Sequence, residues 1–160
     1  LAQLVLHFVA QPEAAARELA RVVRPGGTVA ACVWDFEDGM TMLRLFWDAA
    51  LAVDPAAPDE ARTLRFGRPG EIAELFEQAG LTDVTESTLA VTETYTGFDD
   101  LWAGFGQGIG PAGAWLVSKP DDVRQRVRQE LVGRLGAPDG PFSLQAVARC
   151  ATATVAAPSS

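Results

Sequence analysis

Histidine occurs once in this chain, at His7, tyrosine once, at Tyr95, and cysteine twice, at Cys32 and Cys150. So few soft ligands exclude a zinc site built mainly from Cys and His, and no metal is expected. Two cysteines in 160 residues also exclude a disulfide-dense scaffold. Basic residues are scarce: 13 Lys and Arg stand against 21 Asp and Glu, for a net charge of −8. A chain this acidic has no continuous basic face to follow a phosphate backbone, so nucleic acid is not an expected partner. No apolar run approaches the roughly 20 residues of a bilayer-spanning helix. No secretory leader pattern opens the chain, so a cytoplasmic location without membrane attachment is expected.

What is present is the composition of an ordinary globular protein, 48% apolar and 21% charged. The length suits one domain or part of one. Residue 1 is Leu, the first Met is Met40, and the chain opens inside an apolar run. A domain seldom starts within a buried strand, because the orphaned edge leaves backbone N–H and C=O groups unpaired. The chain is therefore expected to be a piece of a longer protein.

Leu1 to Val9 is almost wholly apolar and reads as a strand buried on both faces. Pro12 and Glu13 then open a helix, with Ala15, Leu19, Val22 and Val23 on one face and Glu13 paired to Arg17 outside. Arg24-Pro25-Gly26-Gly27 stops it, since Pro25 pushes Arg24 out of helical geometry and the glycines permit a reversal. Thr28 to Trp34 lacks polar alternation and predicts a second strand covered on both faces. Strand, helix and strand make a βαβ unit, and the loop after Trp34 lies at the carboxyl edge of the sheet, where open α/β sheets bind ligands.

Further along, the spacing predicts a helix from Met40 to Val53 and a second from Pro69 to Ala79, closed by Gly80. Thr82 to Tyr95 alternates as a half-buried strand should. Phe98 to Leu135 is mostly helical, with a break at Gly106–Gly113. The G-x-G-x-G spacing within Gly104–Gly113 follows a helix rather than a strand, which favours a flexible break over a cofactor loop. Phe142 to Val155 is a last strand, and residues 156–160 form a tail.

The stretch LVLHFVAQPEAAARELARVVRPGGTVAACVWDF resembles the second half of class I S-adenosylmethionine-dependent methyltransferases, close to the ubiquinone/menaquinone-type C-methyltransferases. Leu19, Arg21, Val22, Val23, Arg24, Pro25, Gly26 and Gly27 fill the family's helix-to-strand pattern, and Phe66 to Val84 is a second similar block. The resemblance implies a Rossmann-like three-layer α/β/α fold, its sheet mostly parallel with an antiparallel last strand. This chain would supply strands four to seven and lack the first ones. Residues 1–155 would be the carboxyl-terminal portion of a single domain, with 98–141 as a helical lid insertion. The last strand would slot between the fifth and sixth, making Cys32 and Cys150 neighbours, read as two reduced thiols. The family's Gly-rich loop and its ribose-binding acid are absent from the sequence, so the chain alone is expected to bind cofactor weakly or not at all.

The same resemblance puts Ala2, Gln3 and Leu4 beside the methionine part of S-adenosylmethionine, the implied cofactor. His7 titrates near neutral pH and is a candidate base, as is Asp35 at the mouth of the sheet; packed core and loop cap are their structural alternatives. Trp34 at the mouth of the sheet, with Phe36, Phe46, Trp47, Trp102 and Phe105 in or beside segments that follow strands, are candidates for an aromatic substrate pocket. Phe66, Phe98 and Trp115 share that distribution. Arg124, Arg126, Arg128 and Arg134 read as a solvated helix face.

The expected function is methyl transfer to a small organic metabolite. The alternative is a non-catalytic binding or dimerisation module on the same fold, and a homodimer could pair through the exposed first-strand edge. A nicotinamide-dependent half domain is a weaker third reading, for want of a dinucleotide fingerprint.

Overall fold

The computed structural model describes residues 1–157. Residues 158–160, within the expected tail, lie outside the described residues.

Six small or β-branched residues and a closing tryptophan, TVAACVW, form the strand β2 (Thr28–Trp34). Before it come β1 (Ala2–Gln3) and helix α1 (Pro12–Val22). After it follow α2 (Thr41–Val53), α3 (Glu60–Thr63), α4 (Glu71–Gln78) and β3 (Leu81–Tyr95). Helices α5 (Phe98–Gly106), α6 (Gly110–Val117) and α7 (Asp121–Arg134) precede the last strand, β4 (Phe142–Val155). The four strands lie in the order β1-β2-β4-β3. β1 runs parallel to β2, with Ala2 opposite Ala31, and β4 runs antiparallel to β2 from Thr28–Thr154 to Trp34–Ala148. The α/β class is the expected one, and so is the antiparallel last strand seated between its predecessors.

The chain divides into two compact units. One holds Leu1–Asp35, Leu64–Ala90 and the chain from Val147; the other holds Phe36–Thr63 and Val91–Ala146.

In the first unit, Val29, Ala31 and Val33 of β2 and Ala151 and Ala153 of β4 share a core with Ala16, Ile72 and Phe76. The expectation that β2 is covered on both faces is corrected: Ala30, Cys32 and Trp34, on its other side, are only half-buried. Leu1–Val9 is not a continuous strand either. Leu4 donates its N–H to the Cys32 carbonyl at 2.9 Å and then takes φ 55°. Leu6–Phe8 wind into a 3-10 turn that buries Leu6 and His7 and leaves Val5 and Phe8 exposed. α1 starts at Pro12 as expected, but the buried stripe runs through Ala16, Leu19, Ala20 and Val23, and Val22 points outward. Glu13 pairs with Arg65 at 2.8 Å, a partner 52 residues away that local spacing could not name. β3 is an outer strand and far more exposed than the half-buried strand expected, with Leu81 alone fully buried.

The turn from α1 into β2 follows its sequence. Gly27 donates its N–H to the Arg24 carbonyl at 2.8 Å, and Gly26 has φ 74°. Pro25 followed by a left-handed glycine is a type II turn.

In the second unit, α2 packs along α7 and α6. Val123, Val127 and Leu131, four residues apart, form the apolar stripe of α7. The glycine-rich stretch 104–113 spans the end of α5, a break of three residues at Gln107–Ile109 and the start of α6, so the break is shorter than the Gly106–Gly113 expected. A Cβ on Gly113 would lie 3.0 Å from the Gly108 backbone and 3.1 Å from the Phe105 carbonyl oxygen, so glycine permits α6 its close approach to the end of α5.

Candidate functional site

β1 and β2 run parallel, so Gln3 and Trp34 end on the same edge of the sheet. Ala2 is buried, Gln3 exposed and Leu4 half-buried. A leucine at φ 55° is uncommon, since a bulky side chain is crowded in left-handed backbone. The strain sits at the end of β1, next to the residues expected to meet a cofactor.

His7 is held by both of its ring nitrogens. Nδ1 lies 2.9 Å from the Arg65 carbonyl and Nε2 accepts the Trp34 N–H at 3.0 Å. The geometry assigns the proton to Nδ1 in a neutral ring. Burial holds the imidazole pKa below its ordinary 6.5, against the opposing pull of the Arg65 carbonyl and the Glu71 carboxylate. The imidazole thus fastens the turn after β1 to the end of β2 and to the segment before α4.

Asp35, the next residue after β2, is 3% exposed. Its Oδ2 receives Arg149 Nη2 at 2.6 Å, and Arg149 Nε donates to the Gly67 carbonyl at 2.9 Å. The Asp35 N–H donates to the Val147 carbonyl at 3.0 Å. Sequence reasoning missed Arg149, although a lone arginine in the apolar strand FSLQAVARCATATV signals a buried partner.

The second unit contains a cavity of about 430 Å³. Its walls include Met42, Leu101, Phe105 and Ile109, and its polar groups include Glu60, Tyr95 and Asp100. Phe105 stacks on Phe46 at 4.3 Å between ring centres, and Trp47 and Trp115 close around Phe46 edge-on. Glu60 is 3% exposed, and its Oε2 accepts the Trp47 indole N–H at 2.9 Å. Burial raises its carboxyl pKa, the Trp47 bond works against that, and the nearby Asp59 adds to it. Tyr95 donates its hydroxyl to Met42 Sδ at 3.3 Å. Nothing in the local pattern of the loop before α3 marked Glu60.

Of the aromatic residues singled out from sequence, Phe46, Trp47 and Phe105 are brought together here, with Phe105 in the cavity wall. Trp102 instead stacks against Phe98 and borders a separate depression with Val117 and Arg124. Phe36 is buried, and Trp34 is half-buried on the open side of β2. Among the described residues no group of three or more His, Cys, Asp or Glu could hold a metal ion. Among them, too, no helix is long and apolar enough to cross a membrane.

Residues 1–31 match a family described as "Methyltransferase domain". The match covers β1, α1 and the first part of β2. No curated protein sequence matches the chain. Among solved structures, a candidate methyltransferase from Bacillus halodurans C-125 is 13% identical, with a TM-score of 0.47, over 97% of this chain. A Haemonchus contortus phosphoethanolamine N-methyltransferase 2, bound to phosphomonomethylethanolamine and S-adenosylhomocysteine, is 12% identical, with a TM-score of 0.42, over 97%. The cyclase SpnF is 15% identical, with a TM-score of 0.41, over 98%. The chain spans 62%, 32% and 48% of the lengths of these three proteins.

Proposed function

We propose that this chain is the carboxyl-terminal part of a class I, S-adenosylmethionine-dependent methyltransferase that acts on a small organic metabolite. One observation carries the reading: the methyltransferase-domain match over residues 1–31 coincides with a parallel strand-helix-strand unit closed by the Arg-Pro-Gly-Gly turn. In this reading Ala2, Gln3 and Leu4 border the cofactor, and His7 and Asp35 hold the ends of the adjoining turn and loop in place. The aromatic cavity of the second unit is the acceptor pocket.

The residues present fit that cofactor only in part. Gln3 offers an exposed amide and Leu4 an apolar surface, but the sequence has no glycine-rich turn after a strand to cradle the amino acid portion. It also lacks the acid that the family resemblance assigns to the ribose hydroxyls. The reading therefore requires those groups from residues other than 1–160, and the isolated chain is expected to be inactive.

Calorimetric titration with S-adenosylmethionine tests it, alongside transfer of a tritiated methyl group to a metabolite extract. The chain in its natural protein context should bind the cofactor saturably and transfer the methyl group; the 160 residues alone should do neither. Absence of binding in the natural protein removes the reading.

A second reading, a non-catalytic binding or dimerisation module, draws support from the two outer strands. β3 exposes Leu89 and Val91, and among the described residues β1 has a strand partner on one side alone, with Leu1 exposed beside it. Sedimentation of the 160-residue chain discriminates: a stable dimer with no cofactor binding in the natural protein favours the module.

A further inference from the structure

The cavity of the second unit combines apolar walls with a carboxylate whose charge nothing in the cavity balances. Glu60 lies among its lining residues, and Trp47, a neutral donor, holds one carboxylate oxygen. Among the described residues no Lys, Arg or His lines the cavity. Arg44 is committed elsewhere: its two terminal nitrogens grip Asp59 at 3.2 and 3.0 Å, and it also reaches Asp48. Asp100 stands exposed among the lining residues, its Oδ2 occupied by the N–H and hydroxyl of Thr96. A buried carboxylate without a counter-charge costs several kcal/mol of solvation, which a cation in hydrogen-bond reach offsets.

From this arrangement we infer that the cavity binds a small amine carried on an apolar ring, its ammonium on the Glu60 carboxylate and its ring against Phe105, Leu101 and Met42. Several features agree on that class. The volume of about 430 Å³ is ample for a one- or two-ring molecule. The faces of Phe105 and Tyr95 suit an ammonium better than an anion. Asp100 adds negative potential, which attracts a cation and repels a carboxylate or phosphate ester. Burial raises the Glu60 carboxyl pKa, the Trp47 bond opposes that, and the neighbouring Asp59 carboxylate adds to it. The inference concerns binding, and it stands whether or not the chain takes part in methyl transfer.

The test compares two probes that share a ring body, 2-naphthylmethylamine and 2-naphthylmethanol, titrated calorimetrically into the 160-residue chain at pH 7. The amine should bind at least tenfold tighter than the alcohol. Glu60→Gln keeps an oxygen to accept the Trp47 indole N–H and removes the charge; it should weaken the amine tenfold or more and leave the alcohol unchanged. Ala112→Phe, which fills the cavity, should abolish binding of both. Equal affinity of the two probes, or amine binding indifferent to Glu60→Gln, overturns the role of Glu60. Failure of both probes to bind the unmodified chain overturns the site itself. The ratio of amine to alcohol on the unmodified chain decides the matter even if a variant does not fold.

Discussion

Arg149, in the middle of β4, places its guanidinium 2.6 Å from the carboxylate of Asp35, a residue 114 positions earlier in the chain. The same guanidinium reaches the Gly67 carbonyl, so one side chain ties the loop after β2 to the segment before α4. Asp35 is almost fully buried and Arg149 about one-quarter exposed. Removing the cation strands a buried anion. Arg149→Met should therefore cost about 3 kcal/mol, at the lower end for a broken buried pair. Arg149→Lys should recover only part of it, because an ammonium cannot span both acceptors in the same geometry. Urea unfolding midpoints of the three proteins check this; equal midpoints would show that the pair carries no net stability.

The two glycines of the α1–β2 turn do different jobs. Gly26 has left-handed backbone but open space around its Cα, so Gly26→Ala should cost about 1–2 kcal/mol through backbone strain. At Gly27 a Cβ would lie 2.6 Å from Val23 Cγ1 and 2.8 Å from the Arg24 carbonyl oxygen. Gly27→Ala should cost more, about 2–3 kcal/mol, because the turn must open to admit it. Thermal unfolding of the pair measures the order, and a milder effect at Gly27 would contradict the assignment.

His7 and Glu60 give stability opposite dependences on pH. The unfolded chain protonates His7 near 6.5, whereas the folded chain resists until lower pH. Unfolded molecules bind more protons in that window, so the His7 contribution is complete above 6.5 and is lost as pH falls towards the folded value. Glu60 behaves in reverse: its folded pKa is raised above 4.5, so its contribution is complete below 4.5 and is lost as pH rises through the folded value. Denaturant midpoints between pH 4 and 8 should show His7→Gln flattening the acid-side loss below 6.5. Glu60→Gln should flatten the loss that begins above 4.5. A His7→Gln profile parallel to that of the unmodified chain would refute the buried neutral imidazole.

Cys32 and Cys150 stand directly opposite each other in the β2–β4 ladder, both as free thiols. Burial and the neighbouring Cys32 raise the Cys150 pKa, which leaves less thiolate to react. Iodoacetamide at pH 7.5 should thus modify Cys150 more slowly in the folded chain than in urea, as followed by peptide mass spectrometry. Equal rates would show the thiol to be open and unperturbed.

Much of the secondary structure was legible because its signals are short-range. Thr28–Trp34 and Phe142–Val155 have the bounds their apolar runs imply. Pro12 opens α1, and Gly80, at φ 81°, follows α4 just before Leu81 buries. The candidate sites were less legible. His7, Asp35 and Phe105 could be singled out by residue type, but their partners lie far off in sequence: Arg65 and Trp34, Arg149, and Phe46.

By itself, then, the sequence determined the bounds of β2 and β4, the start of α1 at Pro12 and the Arg-Pro-Gly-Gly turn. Proline, glycine and hydrophobic period act within a few residues of one another, and those rules need no knowledge of the fold. Tertiary structure decided which face of β2 is covered, that the first apolar run bends after Gln3, and that Cys32 faces Cys150. It also put Glu60 beside a cavity whose walls hold no Lys, Arg or His among the described residues. Those outcomes depend on strand order and on contacts between segments tens of residues apart, which only the packed chain brings into register.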